Sequence, residues 1–125
     1  MSEEPGVPSL EIRPRLRVYR GEEIALGPGK AALLAAIGET GTLHAAASQL
    51  GMSYMRAWKL VRTMNRCFDP PLVVTRRGGP EHGRASLSPA GEAVLELYRR
   101  MEAQCQASVG PLAEELRCWL ATGPT

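Results

Sequence analysis

Several things are missing from this sequence, and each absence excludes something. Cysteine is scarce. Three residues, Cys67, Cys105 and Cys118, odd in number and widely spaced, make no disulfide framework, and free thiols in a cytoplasmic setting are expected. Long apolar runs are missing too. The longest uncharged one, Ala31 to Ile37, is far short of the ~20 residues a membrane helix needs. The first residues, MSEEPG, are acidic and polar, so no signal or transit peptide is expected. No tract is repeated or of low complexity. A large charge of one sign is also absent: the formal net charge is +2. What remains is 125 residues, 44% apolar and 22% charged, the profile of about one folded domain rather than a disordered chain.

The small net charge conceals an uneven distribution. Residues 1–53 sum to −1, residues 54–84 to +5 and residues 85–125 to −2. The central cations are Arg56, Lys59, Arg62, Arg66, Arg76, Arg77 and Arg84, against Asp69 and Glu81. A local positive field of this kind attracts phosphate backbones whatever the total charge is. A solvated cationic face without a partner is the competing reading of charge alone.

Pattern and turn residues then give the elements. Residues 1–9 hold Pro5, Gly6 and Pro8 and read as a flexible tail. Alternation from Leu10 to Leu26 around Arg20-Gly21-Glu22 predicts a β-hairpin. Helices are predicted at about Pro28–Glu39, Leu43–Leu50 and Tyr54–Phe68, with Thr42 and Ser53 as caps and Gly41 and Gly51 as stops. Leu72–Thr75 and Ala85–Leu87 predict two strands flanking an Arg/Gly loop. Ser88-Pro89 starts a last helix that runs toward Ser108. Gly110-Pro111 is expected to interrupt it before a final amphipathic segment, Leu112–Leu120.

The second and third helices carry the most specific signal. Ala46 and Ala47 are small enough for close helix contact, Gly51 follows four residues later, and Leu50 and Met52 flank it. Ala57 and Leu60 fall where the next helix should face its neighbour. This spacing predicts a helix-turn-helix. At ~100° per residue, Ala57, Val61, Met64 and Phe68 make one stripe of the third helix. Lys59, Arg62 and Arg66 lie opposite, joined by Met55 and, further round, Arg56. Ser53, Tyr54, Met55 and Arg56 occupy the N-terminal end, which reaches base edges in a recognition helix. Arg56 and Lys59 are the candidates for guanine contacts. Trp58 is expected at the edge of the core. Arg76, Arg77 and Arg84 in the loop suit phosphate or minor-groove contact.

The expected fold is therefore mainly α with small β elements: a winged helix-turn-helix with an N-terminal β-hairpin, a two-stranded wing and a C-terminal dimerisation helix. Residues 10–88 form the DNA-binding domain and residues 89–121 the C-terminal helices. Val94, Leu97, Tyr98, Met101, Leu112, Leu116 and Trp119 make an apolar stripe expected to join two copies. The expected partners are double-stranded DNA and a second copy of the chain. No membrane contact is expected. A winged-helix protein-interaction module without DNA specificity is the alternative, but its face would be apolar or acidic. An enzyme is not expected, because no nucleophile–base arrangement, phosphate-cradling loop or paired carboxylates are present. His44 and His82 stand 38 positions apart, and neither metal nor cofactor is expected.

The runs LGPGKAALLAAIGETGTLHAAASQLGMSYMRAW, LVVTRRGG and GRASLSPAGEAVLELYRRMEA resemble the N-terminal winged helix-turn-helix of ModE-type molybdate-responsive regulators, and more distantly LysR-type DNA-binding domains. The resemblance covers about Arg15 to Ala103. It implies a dimer on a palindromic operator, recognition contacts at Ser53, Tyr54 and Arg56, and wing contacts at Arg76, Gly78 and Gly79. The chain departs from that pattern at Met55, where relatives usually have a basic or polar residue. It departs again at Pro80-Glu81-His82-Gly83, where they tend to show a longer glycine run. Only 22 residues follow Ala103, so no oxyanion-binding domain is expected, and molybdate is not expected to bind these residues directly.

Overall fold

A computed structural model describes residues 9–76 and 83–123. Two short strands, β1 (Val18–Arg20) and β2 (Glu23–Leu26), are joined by Gly21 and Glu22. Gly21 has φ +63°, which a glycine adopts without steric cost. The predicted hairpin is shorter than expected. Pairing starts at Val18, and residues 10–17 make no strand. Pro14 interrupts that stretch, because it has no N–H to give a ladder.

Three helices follow: α1 (Pro28–Thr40), α2 (Leu43–Gln49) and α3 (Tyr54–Cys67). Their limits follow from the caps. Thr42 Oγ1 accepts from the Ala45 amide at 3.0 Å, and Ser53 Oγ accepts from the Arg56 amide at 3.1 Å. Each satisfies a helix-end donor, worth about 1 kcal/mol. Gly41, at φ +80°, closes α1 through its amide to the Ile37 carbonyl. Gly51, at φ +67°, makes the corner between α2 and α3. There the Met52 amide donates back to the Ala47 carbonyl at 3.0 Å. Ala46 and Ala57 are fully buried at this crossing, as the small-residue spacing predicts.

Strands β3 (Val73–Thr75) and β4 (Ala85–Leu87) pair antiparallel, with Val73 opposite Leu87 and Thr75 opposite Ala85. An isolated bridge joins Thr42 to Arg84, and the Ala85 amide donates to the Gly41 carbonyl at 2.9 Å. The base of the wing is thus stitched to the loop that starts α2. Together these elements form a winged helix-turn-helix, mainly α with two small sheets, continued by a C-terminal helix.

Helix α4 runs without interruption from Pro89 to Arg117, with Pro111 inside it. The predicted break at Gly110-Pro111 is corrected. A helical proline removes one backbone donor and crowds the residue before it. Here that residue is Gly110, which has no Cβ to clash. The described residues fall into two compact units: one within residues 15–99, the other made of residues 9–14 and 100–123.

The core of the first unit is aliphatic. Leu33, Leu34 and Ile37 of α1 are completely buried with Met64 of α3, Leu72 and Tyr98. Each large side chain so buried contributes ~1.5–3 kcal/mol. Tyr98 is only 1% exposed, and its hydroxyl donates to the Leu16 carbonyl at 2.7 Å. This removes Tyr98 from the predicted apolar stripe between copies. Its ring fills its own domain, and a phenol hydroxyl can be buried only where it finds an acceptor. In the second unit Ala113 is buried, and Gln106 Nε2 donates to the Ile12 carbonyl at 3.0 Å. Among the described residues no helix is long and apolar enough to cross a membrane.

Candidate nucleic-acid interface

Helix α3 divides its side chains as the angular analysis expects. Ala57, Val61 and Met64 are buried, while Ser53, Tyr54, Met55, Arg56, Lys59, Arg62 and Arg66 are exposed. Met55 is 57% exposed. Among the described residues Arg56 and Lys59 have no ion-pair partner, so both charges face solvent. Arg62 stacks over the Trp58 ring, 4.8 Å from its centroid. Trp58 itself is half-buried against the core, the edge position foreseen for it.

Arg66 is differently placed. Its guanidinium is hydrogen-bonded and ion-paired to Glu23 of the hairpin. The other Glu23 oxygen accepts from the Cys67 thiol at 3.2 Å. The Arg66 hydrogen bond holds the Glu23 carboxyl below its ordinary range, helped by Cys67. Burial first, then the carboxylate, pushes the Cys67 thiol up. Arg66 therefore anchors the C-terminal end of α3, in addition to facing solvent. The sequence carries no signal for this pairing, since 43 positions separate the partners.

The wing meets the other end of the helix. A small cleft of about 40 Å³ is lined by Leu43, Tyr54, Trp58, Thr75, Arg76, Gly83 and Arg84. A hollow of about 280 Å³ on the wing is lined by Val74, Arg76, Arg84, Ala85 and Ser86. Arg76 and Arg84 are exposed, and the Arg76 amide donates to the Arg84 carbonyl at 2.9 Å. The two arginines thus stand on paired strand ends beside the start of α3. The expected contacts at Arg77, Gly78 and Gly79 lie outside the described residues, as does His82. No group of three or more metal-ligating side chains occurs among the described residues.

Two residues that sequence reasoning passed over shape this surface. Asn65 sits within α3, where asparagine is a poor helix former. Its Oδ1 accepts from the Leu72 and Val73 amides, and its Nδ2 donates to the Val73 carbonyl, all at 3.0 Å. It fixes where the wing leaves α3. The only hint in the sequence was a polar side chain between the apolar and cationic stripes. His44, exposed on α2, lies against Tyr54 with ring centroids 6.2 Å apart.

Of the apolar stripe, Leu97 (52%), Met101, Leu112, Leu116 and Trp119 (85%) are exposed, and Val94 is half-buried.

Comparison with known proteins agrees with this geometry. The pattern of bacterial regulatory helix-turn-helix proteins of the lysR family matches residues 30–92. The molybdenum-pterin-binding protein MopB of Rhodobacter capsulatus is 45% identical over 78 residues, covering 62% of this chain and 29% of its own length. The molybdenum transport protein ModE of Azotobacter vinelandii is 35% identical over 92 residues, 74% of this chain and 34% of its own. The DNA-binding transcriptional dual regulator ModE of Escherichia coli is 30% identical over 77 residues, 62% of this chain and 29% of its own. The chain thus spans about a third of the length of these curated relatives.

Proposed function

This chain belongs to the lysR family of bacterial regulatory helix-turn-helix proteins, and we propose that it binds a palindromic operator as a two-fold dimer. Its helix-turn-helix is of the ModE type, and it is a DNA-binding transcription regulator. One observation supports the finer reading most directly: the N-terminal half of α3 presents exposed Arg56 and Lys59, neither ion-paired among the described residues, while its Tyr54 and Trp58 line a cleft with Arg76 and Arg84 of the wing. Side chains at the start of α3 read base edges in the major groove. Wing cations hold the phosphate backbone and set the register.

The dimer forms through the exposed apolar side chains of the C-terminal segment: Leu97, Met101, Leu112, Leu116 and Trp119, with Val94 at the margin. These are large side chains that water does not favour. A closed two-fold pair would set its recognition helices about 34–36 Å apart, one DNA turn. The reading assigns no oxyanion site to these residues, and calorimetric titration with molybdate and tungstate tests that point.

Selection of bound sequences from random duplex DNA tests the proposal as a whole. The expected product is a palindrome whose half-sites are one turn apart. Enrichment of no sequence, or sedimentation as a monomer at micromolar concentration, overturns it.

A further inference from the structure

We propose that Met55 sets part of the sequence preference by packing its thioether against the 5-methyl group of a thymine in the major groove. The proposal rests on the DNA-binding reading above and assigns a base to a position where a cation or amide would read a different one. Met55 is the second residue of α3. At ~100° per residue it falls within ~40° of Lys59, Arg62 and Arg66, on the side of the helix away from Ala57, Val61 and Met64. The burial of those three and the exposure of the other four match that division. Met55 therefore points out of the domain at the N-terminal tip of a stripe that is otherwise cationic. It is 57% exposed and takes no part in the core. The side chains around it are engaged with the protein itself. Ser53 Oγ accepts from the Arg56 amide, the Tyr54 ring lies against His44, and Trp58 lies under the Arg62 guanidinium. An isolated apolar side chain on a surface needs no explanation. One that leads the outward stripe of a DNA-reading helix is placed where a base edge arrives.

The chemistry of the side chain selects the base. The major groove displays hydrogen-bond donors and acceptors, and a single kind of apolar group, the thymine 5-methyl. A thioether donates no hydrogen bond and accepts only weakly. Against the polar edge of guanine, adenine or cytosine it would displace water without replacing its hydrogen bonds. Against a methyl it buries apolar surface on both partners. The unbranched stem of methionine, with three rotatable bonds, lets the sulfur and terminal methyl follow the position of that group. Lys59, one turn further along α3, carries its charge to the neighbouring guanine or phosphate and leaves the methyl contact to Met55. A 5-methylcytosine presents the same methyl at the same place in the groove. Cytosine methylation at this base pair therefore restores the contact that an unmodified cytosine lacks.

The test replaces each thymine of the selected duplex in turn with deoxyuridine, which removes the methyl and keeps every hydrogen-bonding group. Affinity is measured for the parent, Met55→Ala and Met55→Leu, with circular dichroism confirming that each variant is folded. The parent should lose about three- to fivefold at one base pair of a half-site, the worth of one buried methyl. Met55→Ala should bind the thymine and uracil duplexes alike at that pair, and Met55→Leu should keep most of the loss. With cytosine placed at the same pair, 5-methylation should raise the affinity of the parent by a similar factor and that of Met55→Ala not at all. If Met55→Ala shows the same uracil penalty as the parent, another side chain meets the methyl and the proposal is overturned. It is overturned equally if no thymine is sensitive to uracil, or if the selected operator holds no thymine. In each of those cases DNA binding itself stands. If no chain binds duplex DNA at any salt concentration, the underlying reading fails as well.

Discussion

Asn65→Ala should uncouple the wing from α3. In the parent, both backbone polar groups of Val73 and the amide of Leu72 are engaged by the Asn65 amide. Residues of an antiparallel pair point their N–H and C=O alternately toward and away from the partner strand. Val73 turns its pair toward α3, so the Asn65 side chain stands in for a third strand. Leu72 is 0% and Val73 3% exposed, which limits the water that could replace the lost partners. Three hydrogen bonds at ~1 kcal/mol each give about 3 kcal/mol. Asn65 itself is half-buried, and partial rehydration sets the lower end at ~2 kcal/mol. For a domain of this size that is a fall of roughly 10–25 °C in Tm. Asn65→Asp keeps the two acceptor bonds but turns an oxygen toward the Val73 carbonyl, and should fall between parent and alanine. The assay is urea and thermal unfolding by circular dichroism, alongside DNA titration at a temperature where all variants are folded. Alanine should weaken binding to every duplex, because the wing cations lose their fixed position. A melting temperature within about 1 °C of the parent would refute the strand-substitute argument.

Other perturbations test separate parts of the structure. A Cβ at Gly91 would clash with the Leu72 carbonyl oxygen. Gly91→Ala must push α4 off the wing strand, and should lower urea stability by about 1–3 kcal/mol. Arg56→Ala should relax preference at one operator base pair and cost ~1–3 kcal/mol there, read by binding to a panel of single-base variants. Arg84→Ala should instead weaken all duplexes alike and reduce the salt slope by about one. Glu23 has its carboxyl lowered in the folded state by Arg66 and then Cys67. Its stabilisation is therefore complete above the unfolded carboxylate range, near pH ~4–5, and is lost as pH falls through the lower folded value. Between pH 5 and 3 the melting temperature of the parent should drop more steeply than that of Glu23→Gln, and parallel curves would refute that linkage.

The sequence by itself determined most of the scaffold. Caps and stops at Thr42, Ser53, Gly41 and Gly51 act within a few residues of where they stand, so helix limits can be read locally. The angular split of α3 into Ala57-Val61-Met64 and Lys59-Arg62-Arg66 needs only helix geometry. The cationic surface was legible for the same reason. The tertiary structure decided whatever depends on partners distant in the chain. Glu23 and Arg66 meet across 43 positions, Tyr98 reaches Leu16 across 82, and Asn65 completes a strand that begins after it. Tyr98 shows the difference most plainly: helical spacing gives it the same apolar stripe as Leu97 and Met101, yet one is buried and the others open. Periodicity fixes which face of a helix a side chain occupies. What that face meets depends on how the other elements pack, and no local pattern encodes that.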